Sequence, residues 1–202
     1  MARRSHVRRW FAALRRSDLL EAAQDLIAQS GSRSVSTSEV AAAAGYSRGI
    51  VTHQFANKKE LLRRVVEYSQ ALVDVSRDIT GLDWILELVD KCLSTAAEGR
   101  TGTSAFLLMG GEAVANDEHV RDLFIERDNW FRSQISAAVE RGVVQGGIRD
   151  DADGDAFAYL LIAILRGSVL QLLLSPDAGM IPRLRSECAT MVRRHLGRAG
   201  AQ

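Results

Sequence analysis

Between residues 47 and 53 the chain reads SRGIVTH, a run of side chains that could bind a nucleic acid. Arg48 could reach a guanine edge or a phosphate, and Ile50 could contact a thymine methyl group. Gly49 costs about 1 kcal/mol relative to alanine inside a helix, but its missing side chain would let the backbone approach a phosphate closely. Three short polar side chains are expected on or near the same face: Ser47, Thr52 and His53. These residue types predict recognition of DNA.

Patterns that would indicate an enzyme are absent from the sequence. It contains no phosphate-binding loop, dinucleotide fingerprint or HExxH motif, and its one match to GxSxG, GYSRG at 45–49, follows no predicted strand. None of the four histidines has metal-ligand spacing, and Cys92 and Cys188 form no CxxC pair. We interpret the two cysteines as core or surface thiols of a reducing cytosol. We therefore expect no catalytic activity, no metal and no cofactor.

The SRGIVTH run belongs to a pair of short helices. Ser36 and Glu39 have the spacing of a capping box, and Gly45 is a natural C-cap glycine. Ser47 can then cap a second helix that extends to about Gln54. Two capped helices joined by a glycine-containing turn form a helix-turn-helix over about 36–55, whose second helix enters the major groove of DNA.

The rest of the chain also shows helical patterns, and we expect an all-α protein. A helix from Ser17 closes at Gly31, and a long one from Asn57 carries apolar residues as far as Ile79 and ends at Gly81. A helix is expected from about Asp83, and after a loop at 98–104 a short apolar helix is expected over 106–115. Further helices are expected from about Asp117, over 153–175, and after Pro182 to about Leu196.

Charge is distributed unevenly along the chain. Residues 1–64 contain 12 Lys and Arg against 5 Asp and Glu, a balance of +7, whereas the remainder has 14 against 20, a balance of −6. A basic N-terminal part suggests contact with a polyanion, although an ordinary charged surface is the alternative. The arginines at positions 3, 4, 8 and 9 could form an arm along the minor groove, or a solvated arm without contacts.

The segment from about Arg15 to Leu62 resembles the N-terminal domain of the TetR family of bacterial transcriptional regulators. The resemblance is carried by LLEAAQDLIAQSG, by the capped SEVAAAAGYSRGIV, by Phe55 and by NKKELL, which match in order and spacing without a gap. It implies a DNA-binding domain over 13–64, joined by a long fourth helix to a ligand-binding and dimerisation domain over 65–198.

The resemblance also implies roles for individual residues. Lys58 lies where the family commonly has a lysine that contacts a DNA phosphate. The family often has tyrosine at position 52 and histidine or tyrosine at position 54, where this chain has Thr52 and Gln54, so the phosphate contact of that tyrosine is in doubt. We expect DNA contacts from Thr37, Ser47, Arg48, Gly49, Ile50, Thr52, His53 and Lys58.

The last two helices are expected to pair with their copies in a second subunit, which the resemblance implies. The sequence supports this independently, since AFAYLLIAILRGSVLQLLL is apolar nearly all round; burial inside one subunit is the alternative. A symmetric dimer requires a near-palindromic operator with half-sites about one turn of DNA apart or somewhat more.

The body is expected to hold a pocket for a small, mostly apolar effector. Its candidate lining residues, each of which could instead be plain core or surface, are Trp84, Phe106, Met109, Glu112, Asn116, Phe124, Trp130, Tyr159 and Arg166. Glu112 is the preferred polar contact because it follows Gly110 and Gly111 within an otherwise apolar helix.

These inferences predict a dimeric repressor that an effector releases from double-stranded DNA. The alternative is a DNA-binding regulator without a small-molecule effector, either constitutive or controlled by a partner protein. The basic N-terminus has no apolar stretch long enough for a signal peptide, and the most apolar run, at 157–165, is too short to span a bilayer. We therefore expect a cytoplasmic protein with no membrane contact.

Overall fold

The computed structural model describes residues 2–71, 75, 79–97, 101–115 and 117–198, with side chains over 15–69, 75, 79–95, 101–115, 117–118 and 120–198. Helices account for most of these residues, and the only β-type pairing among them is an isolated bridge between Ile148 and Gly197. The helices are α1 (Ala2–Ser34), α2 (Thr37–Ala43), α3 (Arg48–Gln54), α4 (Lys58–Ala71), α5 (Gly81–Ala97), α6 (Thr101–Val114), α7 (Glu118–Val144), α8 (Gly154–Leu174) and α9 (Met180–Leu196). The expected all-α class is confirmed.

The two long N-terminal helices differ from the sequence-based expectation. Helix α1 begins at Ala2, well before Ser17, because the preceding residues are rich in arginine and alanine, which favour helix. Its expected break at Gly31 is confirmed, with φ 76° and ψ 161°. Helix α4 ends at Ala71, and residues 75, 79 and 80 are not helical. The sequence after residue 72 is rich in Val, Ile, Thr, Ser and Asp, which are poorer helix formers.

The first of two compact units contains Met1–Gln70 and Thr101–Phe124. Within it, α1 packs against α6 and α2, and α2 packs against α3. One apolar core joins these helices, and its fully buried members include Leu19, Ile27, Phe55, Leu61 and Met109. The inclusion of α6 gives helices α1 to α4 more core than residues 13–64 could supply alone.

The second compact unit contains Ala71–Arg100 and Ile125–Gln202. Helix α5 packs against both α8 and α9 in this unit. Gly81 has a φ of 63°, and a Cβ added there would lie 3.0 Å from the Cα of Gly142 on α7. Glycine at position 81 therefore permits both the backbone conformation and the close approach of the start of α5 to Gly142.

Helix α8 is the most apolar element of the second unit. Asp153 caps its N-terminus by accepting a hydrogen bond from the Ala156 amide at 2.9 Å, and Ser175 is its C-cap residue, as expected. The helix has 21 residues and a mean hydropathy of 2.0 over its most apolar 18 residues, so it is long and apolar enough to span a bilayer. The apolar segment is therefore longer than the run at 157–165 indicates. Its buried residues, including Leu161 and Leu165, pack in the core of the unit, so we interpret it as a core helix.

Candidate nucleic-acid interface

A short turn joins α2 to α3. The Ser36 amide donates to the Glu39 carboxylate at 2.8 Å, and the Glu39 amide donates to Ser36 Oγ at 3.2 Å, which confirms the capping box. Hydrogen bonding of the Glu39 carboxylate to the Ser36 side chain and to the Ser36 amide lowers the pKa of Glu39. Gly45 has a φ of 74°, and the Tyr46 amide donates to the Ala41 carbonyl at 2.8 Å. The turn therefore depends on glycine at position 45, because other residues rarely adopt this conformation.

The turn is held against α1 by a side-chain contact that sequence analysis did not identify. The Tyr46 hydroxyl donates to the Asp18 carboxylate at 2.7 Å. This hydrogen bond raises the pKa of Tyr46, with burial as a smaller cause. Because residues 18 and 46 are 28 positions apart, no local pattern indicates the contact. It fixes the turn relative to α1 immediately before the second helix begins.

Helix α3 has one buried and one exposed face. Val51 and the following Phe55 are buried in the core, as expected for an anchor, and Ile50 is half-buried. The exposed positions of the helix are Arg48, Gly49, Thr52 and His53. The face of α3 that bears the residues expected to contact DNA bases is therefore exposed to solvent, while the opposite face is buried in the core.

Ser47 is the N-cap residue of α3, but its side chain makes no capping hydrogen bond. The expected N-cap position is confirmed, but only the Ser47 carbonyl takes part, accepting from the Ile50 amide at 3.0 Å. Ser47 is exposed to solvent. Thr37, the first residue of α2, is half-buried. The Thr52 hydroxyl donates a hydrogen bond to the Arg48 carbonyl at 3.4 Å.

Two glycines of the helix-turn-helix have different physical roles. Gly45 needs its positive φ, as described above. Gly49 lacks a positive φ, and a Cβ added there would meet only Ser47 Oγ at 4.0 Å. The fold therefore does not require glycine at position 49. This residue lies on the exposed face of α3, where a missing side chain leaves the backbone open to a partner.

Lys58 is the first residue of α4, at the edge of the same region. Its ammonium donates to the Arg33 carbonyl at 2.8 Å, so the side chain caps the last residues of α1. The Asn57 side chain accepts from the Glu60 amide at 2.9 Å, which confirms the expected cap pair. An ammonium has three N–H donors, so this contact leaves capacity for a phosphate.

The structure divides the candidate pocket residues between the two units. In the first unit, Phe106, Met109 and Phe124 are buried in the core, and the rings of Phe106 and Phe124 lie 5.0 Å apart. Glu112 also belongs to this unit, and its carboxylate accepts a hydrogen bond from the Ser32 amide at 2.9 Å. Asn116 lies outside the described residues, as do the side chains of the N-terminal arm.

The other candidates lie in the second unit. Trp84 is half-buried on α5. Trp130 is 49% exposed and Tyr159 is 61% exposed. Guanidinium groups cover both rings, that of Arg127 at 4.1 Å from the Trp130 centroid and that of Arg132 at 4.3 Å from the Tyr159 centroid. Arg166 donates two hydrogen bonds to the Asp128 carboxylate, one of them at 2.8 Å.

Two protein-family models match separate parts of the chain. Residues 19–65 match the model for bacterial regulatory proteins of the tetR family, and residues 82–199 match the model for the C-terminal part of BetI-type transcriptional repressors. No curated protein matches the chain in sequence.

Solved structures of regulators are similar in fold. A TetR transcriptional regulator from Chloroflexus aurantiacus has a TM-score of 0.75 and 22% identity, over 93% of this chain and 98% of that one. A transcriptional regulator from Saccharomonospora viridis in complex with choline has a TM-score of 0.70 and 24% identity, over 91% of this chain and 98% of that one. A complex of SmeT with triclosan has a TM-score of 0.71 and 21% identity, over 93% of each chain.

Proposed function

The chain belongs to the tetR family of bacterial regulatory proteins, and from this premise we propose that it is a dimeric, sequence-specific repressor of transcription. We propose further that a small, mostly apolar ligand releases it from its operator, and that it works in the cytoplasm without catalytic activity. The observation that carries the DNA-binding role is the capped helix-turn-helix with the polar face of α3 exposed.

Recognition of the operator is assigned to the exposed face of α3. Arg48 hydrogen-bonds to a guanine edge, while Thr52 and His53 supply shorter polar groups to neighbouring bases or phosphates. Ser47 and the backbone at Gly49 face the phosphate backbone, since amides at a helix N-terminus favour an anion. Thr37, Ile50 and Lys58 complete the proposed contact set at its edges.

Dimerisation is assigned to α8 and α9. Several large apolar side chains of α8 are exposed in the single chain: Tyr159, Leu160, Leu170 and Leu174. Leu160, Gly167, Leu170 and Leu174 recur at intervals of three, four and seven residues, so they lie along one stripe of the helix. A contiguous apolar stripe is covered most simply by the same stripe of a second copy.

The effector is assigned to the helical body. Two similar structures contain small molecules, choline in one and triclosan in the other, which supports a ligand role for this fold without indicating the ligand of this chain. Of the candidate residues, Trp84 and Arg166 lie on α5 and α8 of the second unit. The ligand acts only through its different affinities for the DNA-binding and released conformations.

The proposed close approach of the DNA backbone predicts opposite effects of Gly49→Ala on stability and on binding. Because position 49 is helical and has room for a methyl group, we expect the free energy of unfolding to rise by about 0.5–1 kcal/mol. We expect affinity for a selected operator to fall about tenfold, since the methyl group would separate α3 from a phosphate. Chemical denaturation and a binding titration measure the two effects.

Gly45→Ala is the control for this experiment. Its φ of 74° strains an alanine, so stability should fall by about 1–2 kcal/mol. If Gly49→Ala bound the operator as tightly as the wild type, the close-approach role of Gly49 would be wrong.

The alternative function is a DNA-binding regulator that has no small-molecule effector. The two functions differ in ligand-dependent stabilisation, because a ligand that binds only the folded state raises its stability. Thermal unfolding with a metabolite panel that includes triclosan and choline chloride should show at least one increase of about 2–4 °C. Operator binding without any such increase would favour the alternative function.

A further inference from the structure

Residues 31–36 form the end of α1 after its break at Gly31, together with the two residues that lead into α2, the first helix of the helix-turn-helix; we call this segment the connection. Gly31 breaks the helical conformation, Ser32 is 1% exposed and Val35 is 3% exposed. Ser36 then caps α2. Ser32 and Val35 therefore anchor the connection in the core, while Arg33, Ser34 and Ser36 are exposed. The connection leads directly into the N-terminus of α2, so a shift of the connection would also shift α2.

Glu112, near the end of α6, binds this connection through both of its carboxylate oxygens. The Ser32 amide donates to Oε1 at 2.9 Å, and the Ser32 hydroxyl donates to Oε2. A Cβ added to Gly31 would lie 2.6 Å from Oε1 of Glu112. Glycine at position 31 thus provides both the positive φ and the space that the carboxylate occupies.

Asp117 makes a second contact from the junction of α6 and α7. Its carboxylate, 4% exposed, accepts from Arg33 Nε at 2.5 Å. This hydrogen bond and the charge of Asp117 raise the pKa of Arg33. The Asp117 amide donates to the Glu112 carbonyl at 3.0 Å, so the backbone holds the two acidic residues together as one anchor.

The connection also contacts α4 through the Lys58 ammonium, which binds the Arg33 carbonyl at 2.8 Å. Residues 32 and 33 are thus held from two directions, by the end of α6 and by the start of α4. A movement of the end of α6 would displace the start of α2. We name the contacts of Glu112 with Ser32 and of Asp117 with Arg33 the junction latch.

We propose that Glu112 and Asp117 are positioning residues for DNA recognition, which act by fixing the start of α2 and hence the angle of α3. The proposal rests on the proposed DNA-binding function. It also assigns Glu112 a role other than contact with a ligand, because both of its oxygens already accept hydrogen bonds from Ser32. Operator affinity should therefore depend on α6, although α6 itself contacts no DNA.

The test is Glu112→Met, which keeps the length of the side chain but removes both acceptors. Glu118→Met is the matched control, since Glu118 is exposed and lies in the first turn of α7. The probe is a DNA fragment selected by the wild-type chain. We expect Glu112→Met to bind about tenfold or more weakly, with an unchanged salt slope because no phosphate contact is lost. The control should stay within about twofold.

Two further readouts distinguish positioning from a general loss of stability. Amide hydrogen exchange should become faster at residues 32–40 of Glu112→Met but remain unchanged in α8. Glu112→Gln, which restores one acceptor oxygen, should recover part of the affinity. If Glu112→Met did not fold, Ser32→Ala would take its place, because it keeps the amide contact with Glu112 and removes only the hydroxyl contact.

Unchanged exchange at residues 32–40 would overturn the junction latch, whatever the DNA affinity. Faster exchange with unchanged operator affinity would overturn its role in positioning. Failure of the wild-type chain to bind any site specifically would contradict the proposed function instead, and the exchange measurements would still decide the latch.

Discussion

Leu170→Glu is expected to convert the protein to a monomer and to weaken operator binding by about 10²–10⁴-fold. Leu170 is 47% exposed in the single chain and lies on the apolar stripe of α8. A carboxylate there would have to be buried without a partner at the proposed two-fold interface, which is unfavourable. A monomer would engage one half-site at a time and would lose the gain from linking two. Sedimentation and a binding titration measure both effects.

Leu108→Glu provides a matched control for that substitution. Leu108 is 46% exposed, nearly the same as Leu170, but it lies on α6. The Leu108→Glu variant should remain a dimer, so sedimentation should distinguish it from a monomeric Leu170→Glu variant. A dimeric Leu170→Glu protein with unchanged operator affinity would show that the apolar stripe of α8 is not the interface.

Arg48→Ala is expected to weaken binding to the selected operator by about 10–100-fold and to reduce discrimination against other sequences. The Arg48 side chain is exposed at the first turn of α3. A bidentate arginine–guanine contact contributes about 1–3 kcal/mol of discrimination, which corresponds to this range. Because the contact is with a base, the salt dependence of binding should change little.

Arg48→Lys separates base recognition from charge. Lysine keeps the positive charge but cannot form the same planar pair of hydrogen bonds. We expect it to retain non-specific binding and to lose a large part of the discrimination. If Arg48→Ala instead reduced binding equally at all sequences and lowered the salt slope by about 0.9, Arg48 would contact a phosphate rather than a base.

The local parts of the site were predictable from the sequence because their signals lie within a few residues. Ser36 and Glu39 form the expected capping box, Asn57 caps the Glu60 amide, and Gly45 adopts the expected positive φ. Hydrogen bonds between residues three apart depend mainly on residue type and spacing. The order and type of the helices were predictable because apolar periodicity and cap residues are also local signals.

The contacts between distant residues were not predictable in this way. Glu112 and Ser32 are 80 residues apart, and Asp117 and Arg33 are 84 apart. Glu112 was expected to contact a ligand because it interrupts an apolar helix, but that pattern also fits a carboxylate that binds a buried serine. Only the packing of α6 on α1 distinguishes the two interpretations.

Helix ends were predicted less well where no cap residue marks them. Apolar residues at helical spacing continue to Ile79, yet α4 ends at Ala71. Periodicity shows which residues could share a face of a helix, but it does not show whether the backbone stays helical. The start of α1 at Ala2 differs from expectation for the same reason, since Ser17 was only one possible cap.

The most direct test of the DNA-binding function is selection of genomic fragments from the source organism by the purified protein at near-physiological salt. The proposed function predicts enrichment of one or a few near-palindromic sites, and loss of this enrichment with Arg48→Ala. Broad, salt-sensitive binding without an enriched site would contradict it, because the basic N-terminal region would then supply only non-specific phosphate contacts. Thr52, in place of the tyrosine common in the family, would then be the first residue to examine.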